Sequence, residues 1–290
     1  MFEDSGFDHT AAIHFRKGLR ADCSNCFGLC CTALNIVASN DFAINKSAGT
    51  PFPNLQSDFR CQIHSNLRAT GFKGCTVFDC LGAGQMVSQI TFNGQNWRER
   101  PEVAEKMFRV FPIMEQLFEM IAYVAEALSY KASYSLSDQL HEQFELLQSL
   151  TKLDADSILA LDMMTYRMPI NELLSATSEI IRNEFISKIS SPKSRRNLNL
   201  RGVDGVGKSF KGKDLRATDF RGAYLIASNL QNADLRGVDF IGADLRDANL
   251  SGANLSTSMF LTQMQINSTK GNKETILPTF LQRPTHWTDL

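Results

Sequence analysis

The residues with the clearest chemical potential are seven cysteines, all confined to one part of a 290-residue chain. They lie between Cys23 and Cys80 and open with the spacing C-x2-C-x3-C-C. Thiolates two to four residues apart can converge on one ion, and soft sulfur suits zinc, iron or an iron–sulfur cluster. An odd number of cysteines argues against a disulfide framework in a reducing compartment. The candidate metal ligands are Cys23, Cys26, Cys30, Cys31, Cys61, His64, Cys75 and Cys80.

Some members of this set allow a second interpretation. Cys30 and Cys31 are adjacent and point in different directions, so only one of them can serve a given ion unless two metals bind. His64 follows Cys61 by a ligand-like spacing, but a hydrogen-bonded structural histidine explains it equally well. For every cysteine the alternative is a small, buried apolar side chain.

The cysteine segment, defined here as residues 23–80, is similar to small domains of the zinc- or iron-chelating type. These domains share the C-x2-C-x3-C-C opening and carry further cysteines later in the sequence. The resemblance implies a thiolate metal site. Such domains commonly carry another cysteine before the middle hydrophobic turn, where this chain has Phe52.

A five-residue repeat occupies the C-terminal part of the chain. Every fifth position from Leu200 to Phe260 is Leu or Phe, except Gly205. The position two residues earlier is small, as at Ala233 and Ala243, and the residue between is usually Asp or Asn. Because neither a helix nor a strand has a period of five, the pattern predicts a solenoid whose coils stack only on their neighbours.

The repeated sequence A-(D/N)-L-x-x, as in Ala233-Asp234-Leu235, closely resembles the pentapeptide-repeat family. The resemblance implies a right-handed quadrilateral β-helix with four pentads per coil, stacked at about the 4.8 Å strand spacing. As a whole, the chain resembles bacterial pentapeptide-repeat proteins that carry a Cys-rich N-terminal domain.

The sequence between these two parts predicts helices. Apolar residues recur at spacings of three and four between Trp97 and Ile189. Pro112 is expected to kink or restart a helix, Asp154 to cap one, and Pro169 to lie in a first turn. The expected fold class is therefore mixed: a Cys-rich metal-binding domain at 1–96, a helical bundle at 97–190, a linker at 191–197, the β-helix at 198–266 and an extended tail at 267–290 that caps the solenoid.

One segment inside the repeat matches the sequence pattern of a nucleotide-binding site. The segment from Gly202 to Ser209 fits the phosphate-loop pattern G-x-x-x-x-G-K-S. A phosphate loop requires a buried strand before it and a helix after it, so that backbone amides converge on phosphate. Here the pentads run straight through, with Phe210 and Leu215 in register. An irregular first coil is therefore the favoured interpretation, and nucleotide binding is not expected.

The overall charge and hydropathy limit the location and the partners. A formal net charge of −1 gives no broad field for gathering nucleic acid or anionic lipid. The N-terminal residues lack the layout of a signal peptide, and no apolar run is long enough for a membrane span. A cytoplasmic protein with no membrane association is expected.

Three functional classes are compatible with this sequence. The favoured one is a non-enzymatic interaction or scaffold protein with a protein partner. The second is a topoisomerase-binding protein that mimics DNA, which requires an anionic solenoid; 197–262 instead contains eight Lys or Arg against seven Asp. The third is a metal-dependent or iron–sulfur redox enzyme or sensor. No nucleophile–base pair or cofactor fingerprint supports a particular reaction, so an enzyme is not favoured.

Overall fold

A computed structural model describes residues 9–188 and 198–287. The predicted linker at 191–197 lies outside these residues. The chain divides into two compact units that interleave along the sequence. Unit 1 comprises Met1–Lys17, Glu126–Ser137 and Glu172–Leu290, and unit 2 comprises Gly18–Ala125 and Asp138–Asn171. The domain boundaries predicted from the sequence remain predictions.

The helical middle region predicted from the sequence is confirmed. Short 3₁₀ segments lie at Cys23–Asn25, His64–Asn66 and Lys131–Leu136, and a π-helical turn at Met86–Thr91. No helix within the described ranges has the length and apolar character needed to cross a membrane. The α-helices are α1 (His9–Gly18), α2 (Leu29–Thr32), α3 (Lys73–Val77), α4 (Ala83–Gln85), α5 (Pro101–Leu128), α6 (Ser137–Leu150), α7 (Ala155–Leu159), α8 (Met163–Lys188) and α9 (Gln263–Asn267).

Both prolines lie inside their helices, which excludes a restart at Pro112 and a first-turn position for Pro169. Pro112 lies inside α5, so the helix does not restart there. Its neighbours Phe111 and Met114 are almost fully buried, and this packing offsets the hydrogen bond that a proline removes. Pro169 also lies inside its helix, because α8 already begins at Met163.

Helix α7 begins where its capping residue predicts. The carboxylate of Asp154 accepts hydrogen bonds from the backbone N–H groups of Asp156 and Ser157, both at 3.0 Å. These bonds satisfy donors that have no partner inside the helix. The helix ends at Leu159.

The solenoid repeats every twenty residues. Parallel bridges join Asp204 to Tyr224 and Tyr224 to Asp244, and the same offset continues along the coils. Four pentads therefore form one coil. Pairing between coils uses backbone hydrogen bonds such as Leu225 N–H to the Asp244 carbonyl at 2.8 Å. Among the described coils these contacts are isolated bridges rather than long strands.

The inside of the solenoid holds the residues that the repeat assigns to it, which confirms the predicted register. Leu235 and Phe240 are 0 % exposed, and the small residue Ala253 is buried beside them. The rings of Phe220 and Phe240 stack with centroids 5.8 Å apart and planes inclined by 22°. Side chains from successive coils thus form one continuous apolar core.

The residues after the last pentad cover the end of the solenoid. In α9 the side-chain amide of Gln265 donates to the carbonyls of Phe240 and Ala243, both at 2.9 Å. Further along, Lys270 and Ile276 form parallel bridges with Asn249 and Asn254 of the last coil. Backbone groups that would otherwise form an open edge are therefore paired.

Candidate functional site

The backbone of the cysteine segment is arranged so that its first four thiols lie on two adjoining turns. Asp22 caps the first turn, since its carboxylate accepts from the Ser24 N–H at 3.1 Å and from the Asn25 amide at 2.8 Å. Gly28, with φ of 64°, then directly precedes α2, which carries Cys30 and Cys31. A left-handed φ of this kind favours glycine.

The thiols approach one another in pairs. The Sγ atoms of Cys30 and Cys31 lie 4.0 Å apart, and the Cys26 thiol donates to the Cys23 carbonyl at 3.5 Å. A Cβ on Gly84 would lie 3.0 Å from the Cys26 Cβ, which is a tight contact, and 3.6 Å from the Cys80 Sγ. This glycine therefore allows two thiols from distant parts of the segment to approach the same point of the backbone.

Three of the thiols pack against a small aromatic cluster. Cys31, Cys61 and Cys75 are partly buried beside Phe52 and Phe72. The rings of Phe52 and Phe72 meet edge to face with centroids 5.6 Å apart. Phe52 thus contributes to the core of the segment.

Neighbouring groups give these thiols unequal acidities. A hydrogen bond from the Cys26 thiol lowers the pKa of the exposed Cys23 to about 7, and the same bond together with burial raises the pKa of Cys26. The contact between Cys30 and Cys31 lowers the pKa of Cys31, and the same contact together with burial raises that of Cys30. Burial raises the pKa of Cys75 to about 12. Each close pair therefore favours one thiolate over the other.

The structure places the predicted ligands in one segment but does not group them around a common point. All seven cysteines are free thiols. Over the described ranges, no three or more His, Cys, Asp or Glu side chains are grouped so that they could hold a metal ion. His64 begins a short 3₁₀ segment and its side chain is exposed. The donor chemistry suits a soft metal, and the ligand set remains a prediction.

The roles of two residues near the thiols were not predicted from the sequence. Gly84 lies against the side chains of both Cys26 and Cys80, and Lys46 has a buried side chain in the same segment. Neither carries a local signal, because a single glycine or lysine in a loop-rich sequence usually indicates a turn or a solvated charge.

On the solenoid, one face is covered by residues of the same unit. This covered face presents outward residues that are nevertheless buried. The Arg182 guanidinium of α8 donates to the Ala217 carbonyl at 2.9 Å and to the Asp219 carboxylate at 3.2 Å. A Cβ on Gly237 would lie 2.7 Å from the Phe185 ring, so only glycine permits this close approach of α8. The outward residues of the covered face are Asp219, Arg221, Asp239, Met259 and Leu261.

A buried carboxylate lies beside this covered face. Glu126 is 0 % exposed, and its Oε1 accepts from the Tyr130 hydroxyl at 2.8 Å and the Phe260 N–H at 2.6 Å. Its Oε2 has no hydrogen-bond partner among the described residues. Burial raises the pKa of Glu126 to about 7, although the nearby Arg16 guanidinium opposes this shift.

A second face of the solenoid carries paired charges and is named the arginine face. The Arg216 guanidinium binds the Asp214 carboxylate and lies 3.6 Å from the Asp234 carboxylate of the next coil. Arg236 binds Asp234 in the same way. Each aspartate precedes an inward leucine and each arginine follows it, so both charged side chains point outward.

A third face carries exposed apolar side chains and is named the Tyr224 face. Tyr224 is 55 % exposed and Val206, on the preceding coil, is 51 % exposed. Half-buried Ile226 lies beside Tyr224, and the Asp244–Arg246 pair follows on the next coil. An exposed apolar group flanked by charges is typical of a protein-contact surface.

The residues that match the phosphate-loop pattern, 202–209, form part of the first coil. The backbone N–H groups of Gly202, Gly205 and Gly207 donate to carbonyls of the next coil at 2.7–2.9 Å. Lys208 is exposed, and its ammonium donates to the Asp204 carbonyl. The amides that would cradle a phosphate are therefore already used by the solenoid.

The repeat also defines the class of protein. Residues 209–256 match the family model described as Pentapeptide repeats, with 8 copies. The pentapeptide repeat protein from the Arabidopsis thaliana thylakoid lumen is a similar solved structure, with 27 % identity over 27 % of this chain and 61 % of that chain. Its TM-score of 0.14 is too low to compare the folds.

A relative from Bacillus subtilis (strain 168) matches the whole length. This relative is YybG, described as an uncharacterized protein, and it is 52 % identical over 275 residues. The match covers 95 % of this chain and 96 % of the relative. The chain therefore belongs to the same family as YybG, and it contains pentapeptide repeats.

Proposed function

We propose that this protein is a non-enzymatic scaffold: its solenoid binds a protein partner and its cysteine segment holds zinc or iron through thiolates. The observation that carries the interaction role is the Tyr224 face. It exposes Tyr224 and Val206 on adjacent coils of a rigid solenoid, whereas the covered face of the same solenoid is already occupied. Aromatic side chains on a rigid surface are the usual centres of binding energy.

The charges on the outer faces of the solenoid favour a scaffold over a DNA mimic. A mimic of DNA must present carboxylates whose charge is not neutralised. On this solenoid Asp214, Asp234 and Asp244 each bind the arginine two residues later. Their negative charges are balanced locally, so they do not form an anionic surface.

The metal role is supported by the confinement of all seven thiols to one segment and by the 4.0 Å approach of the Cys30 and Cys31 Sγ atoms. Zinc or iron would bind the thiolates of the cysteine segment and link its separate turns through the metal. The residues proposed to supply the ligands are Cys23, Cys26, Cys30 or Cys31, Cys61, Cys75 and Cys80.

Photo-crosslinking in cells tests the interaction role. A photoreactive residue at position 224 is compared with one at position 211, where Lys211 is exposed on another face. We expect a defined protein adduct from position 224 and not from position 211. The purified adduct partner should bind the native protein in calorimetry and lose affinity for Tyr224→Ala. If neither position yields such a partner, the scaffold role is wrong.

Metal analysis after anaerobic purification tests the metal role. We expect about one or two Zn or Fe atoms per chain. Cys26→Ser and Cys61→Ser should each lower the metal content and the melting temperature. If both variants retain the metal content and melting temperature of the native protein, the cysteines serve only packing.

A further inference from the structure

The first coil of the solenoid has an edge whose backbone groups find no partner among the described residues. One coil later, the Asn229 N–H donates to the Lys208 carbonyl at 2.9 Å, and the Asn229 carbonyl accepts from the Phe210 N–H at 2.7 Å. The equivalent N–H and carbonyl groups of the first coil belong to Ser209, and no described residue pairs with them. The same holds for Asp214. This edge and the side chains beside it are named the first-coil end, which comprises Lys208, Ser209, Phe210, Lys213 and Asp214.

Two lysines of the first-coil end occupy positions that later coils give to small residues. Lys208 and Lys213 are exposed, whereas Ser228 and Ala233, at the same positions of the next coil, are each 1 % exposed. A charged side chain does not enter an apolar core without a partner. Both lysines therefore extend their ammonium groups away from the core, at the point where the solenoid begins.

The two ammonium groups lie close to this end of the solenoid. That of Lys213 is 5.3 Å from the centre of the half-buried Phe210 ring, and that of Lys208 donates to the Asp204 carbonyl. The ion pairs formed by the described solenoid residues include neither lysine. Both positive charges are therefore available to an anion from another molecule.

Positive charge is concentrated on the first coil. Residues 198–217 contain five Lys or Arg and two Asp, residues 218–237 contain two Arg and two Asp, and residues 238–257 contain one Arg and three Asp. The first coil is thus the cationic end of a solenoid whose total charge is nearly balanced. An anionic partner is attracted to this end, whereas two copies of the chain that meet through it repel each other.

The opposite end of the solenoid shows how a segment outside the repeat pairs with a coil. The N–H groups of Leu250 and Leu255 donate to the carbonyls of Lys270 and Ile276, both at 2.8 Å. Residues 270–276 do not follow the five-residue pattern, so pairing at an end requires an extended backbone and not another repeat. The first-coil end offers both N–H donors and carbonyl acceptors, which a polypeptide satisfies and a nucleic-acid phosphate backbone does not.

We infer that the first-coil end binds an extended, acidic segment of a partner protein. The backbone of that segment pairs with Ser209 and Asp214, and its carboxylates bind the ammonium groups of Lys208 and Lys213. The inference rests on the proposed scaffold role and gives the solenoid a second contact surface besides the Tyr224 face. The competing explanation is that the two lysines only keep this edge from associating with other edges.

The test measures fluorescence anisotropy of a labelled peptide of about ten residues that alternates Glu and Thr, because β-branched Thr favours an extended chain. The double variant Lys208→Ser with Lys213→Ala copies the residues of the next coil. We expect the native protein to bind the peptide and the double variant to bind it about tenfold or more weakly. Lys270→Ala with Lys273→Ala removes the same charge from exposed positions after the last coil and should bind like the native protein.

A second peptide separates backbone pairing from charge. The same sequence, N-methylated at its central residues, keeps its carboxylates but loses N–H donors, so it should bind about tenfold or more weakly to the native protein. Equal binding of the two peptides overturns the inference, and so does tighter binding of a single-stranded oligonucleotide of equal charge. If the double variant does not fold, the comparison of the two peptides on the native protein decides.

The competing explanation has its own signature. If the lysines only protect the edge, the native protein does not bind the acidic peptide and the double variant forms larger species in size-exclusion chromatography with light scattering; the inference is then wrong. Lys211 follows the inward Phe210 and points outward from the side of the coil, so a crosslinker at position 211 does not report on this end. A partner crosslinked at position 224 together with no peptide binding overturns this inference alone. A missing adduct at position 224 overturns the scaffold role, and the peptide assay still decides whether the first-coil end binds an acidic segment.

Discussion

The Arg236 guanidinium donates two hydrogen bonds to the Asp234 carboxylate, from Nε to Oδ1 at 2.8 Å and from Nη2 to Oδ2 at 2.6 Å. Leu235, between these two residues, points inward and is 0 % exposed. One tripeptide thus places a neutral ion pair on the surface and an apolar side chain in the core. The two kinds of position should contribute very differently to stability.

Leu235→Ala should destabilise the solenoid by about 2–4 kcal/mol, because the surrounding coils cannot collapse into the cavity. Arg236→Ala should cost less than about 1 kcal/mol, since its side chain is 40 % exposed and the pair is screened by water. Chemical denaturation of both variants measures the difference. Equal losses at the two positions would contradict the assigned register.

We expect no nucleotide binding at residues 202–209, which match the phosphate-loop pattern. The N–H groups of Gly202, Gly205 and Gly207 are hydrogen-bonded to the next coil, so binding a phosphate would break the solenoid. Calorimetry with ATP and Mg²⁺ should show no dissociation constant below about 1 mM. Lys208→Ala should change neither this result nor the stability. Micromolar binding that Lys208→Ala abolishes would show instead that the motif is functional.

The solenoid could be predicted residue by residue because each position of the five-residue repeat has a fixed place in the coil. Each inward Leu or Phe, such as Leu235, meets the equivalent residue of the next coil, so a period of five fixes both the register and the core. Gly205 is the exception in the pattern and has a structural cause: a Cβ there would lie 2.8 Å from the Leu225 side chain.

The details of the cysteine segment and the helices could not be predicted in this way. The approach of Cys26 and Cys80 depends on Gly84, and the burial of Lys46 depends on carbonyls 12–14 residues earlier in the chain. Such contacts have no sequence period. Pro112 was expected to kink or restart a helix; α5 does not restart there, because tertiary packing of the flanking side chains offsets the local preference against proline.

Removal of the residues after Thr262 should leave the solenoid prone to self-association. These residues supply the bridges to Asn249 and Asn254 and bury Trp287, whose indole donates to the Thr269 carbonyl at 3.1 Å. Without them the last coil presents an unpaired edge and an apolar end. We expect the truncated protein to elute as larger species in size-exclusion chromatography with light scattering. Trp287→Ala should show the same tendency more weakly, and a monodisperse truncated protein would disprove the capping role.

The stability of the protein should depend on pH through Glu126. Burial raises the pKa of this carboxyl from 4.5 to about 7, since the opposing effects of Arg16, the Phe260 N–H and the Tyr130 hydroxyl are smaller and Asp239 acts in the same direction as burial. Between these two pH values the folded protein holds a proton that the unfolded chain has lost. The free energy of unfolding should therefore fall as the pH rises from about 4.5 to 7, by at most about 3 kcal/mol from this group.

Glu126→Gln removes this titration while keeping an oxygen that can accept from Tyr130 and Phe260. Its unfolding free energy, measured in urea from pH 4.5 to 8, should fall less steeply with pH than that of the native protein. Glu105→Gln removes an exposed carboxylate from the same helix and should retain the native slope, because Glu105 forms only a long surface pair with Arg109 at 3.9 Å. If native protein and Glu126→Gln have parallel profiles across this range, Glu126 is ionised in the folded state and the two donors with Arg16 outweigh its burial.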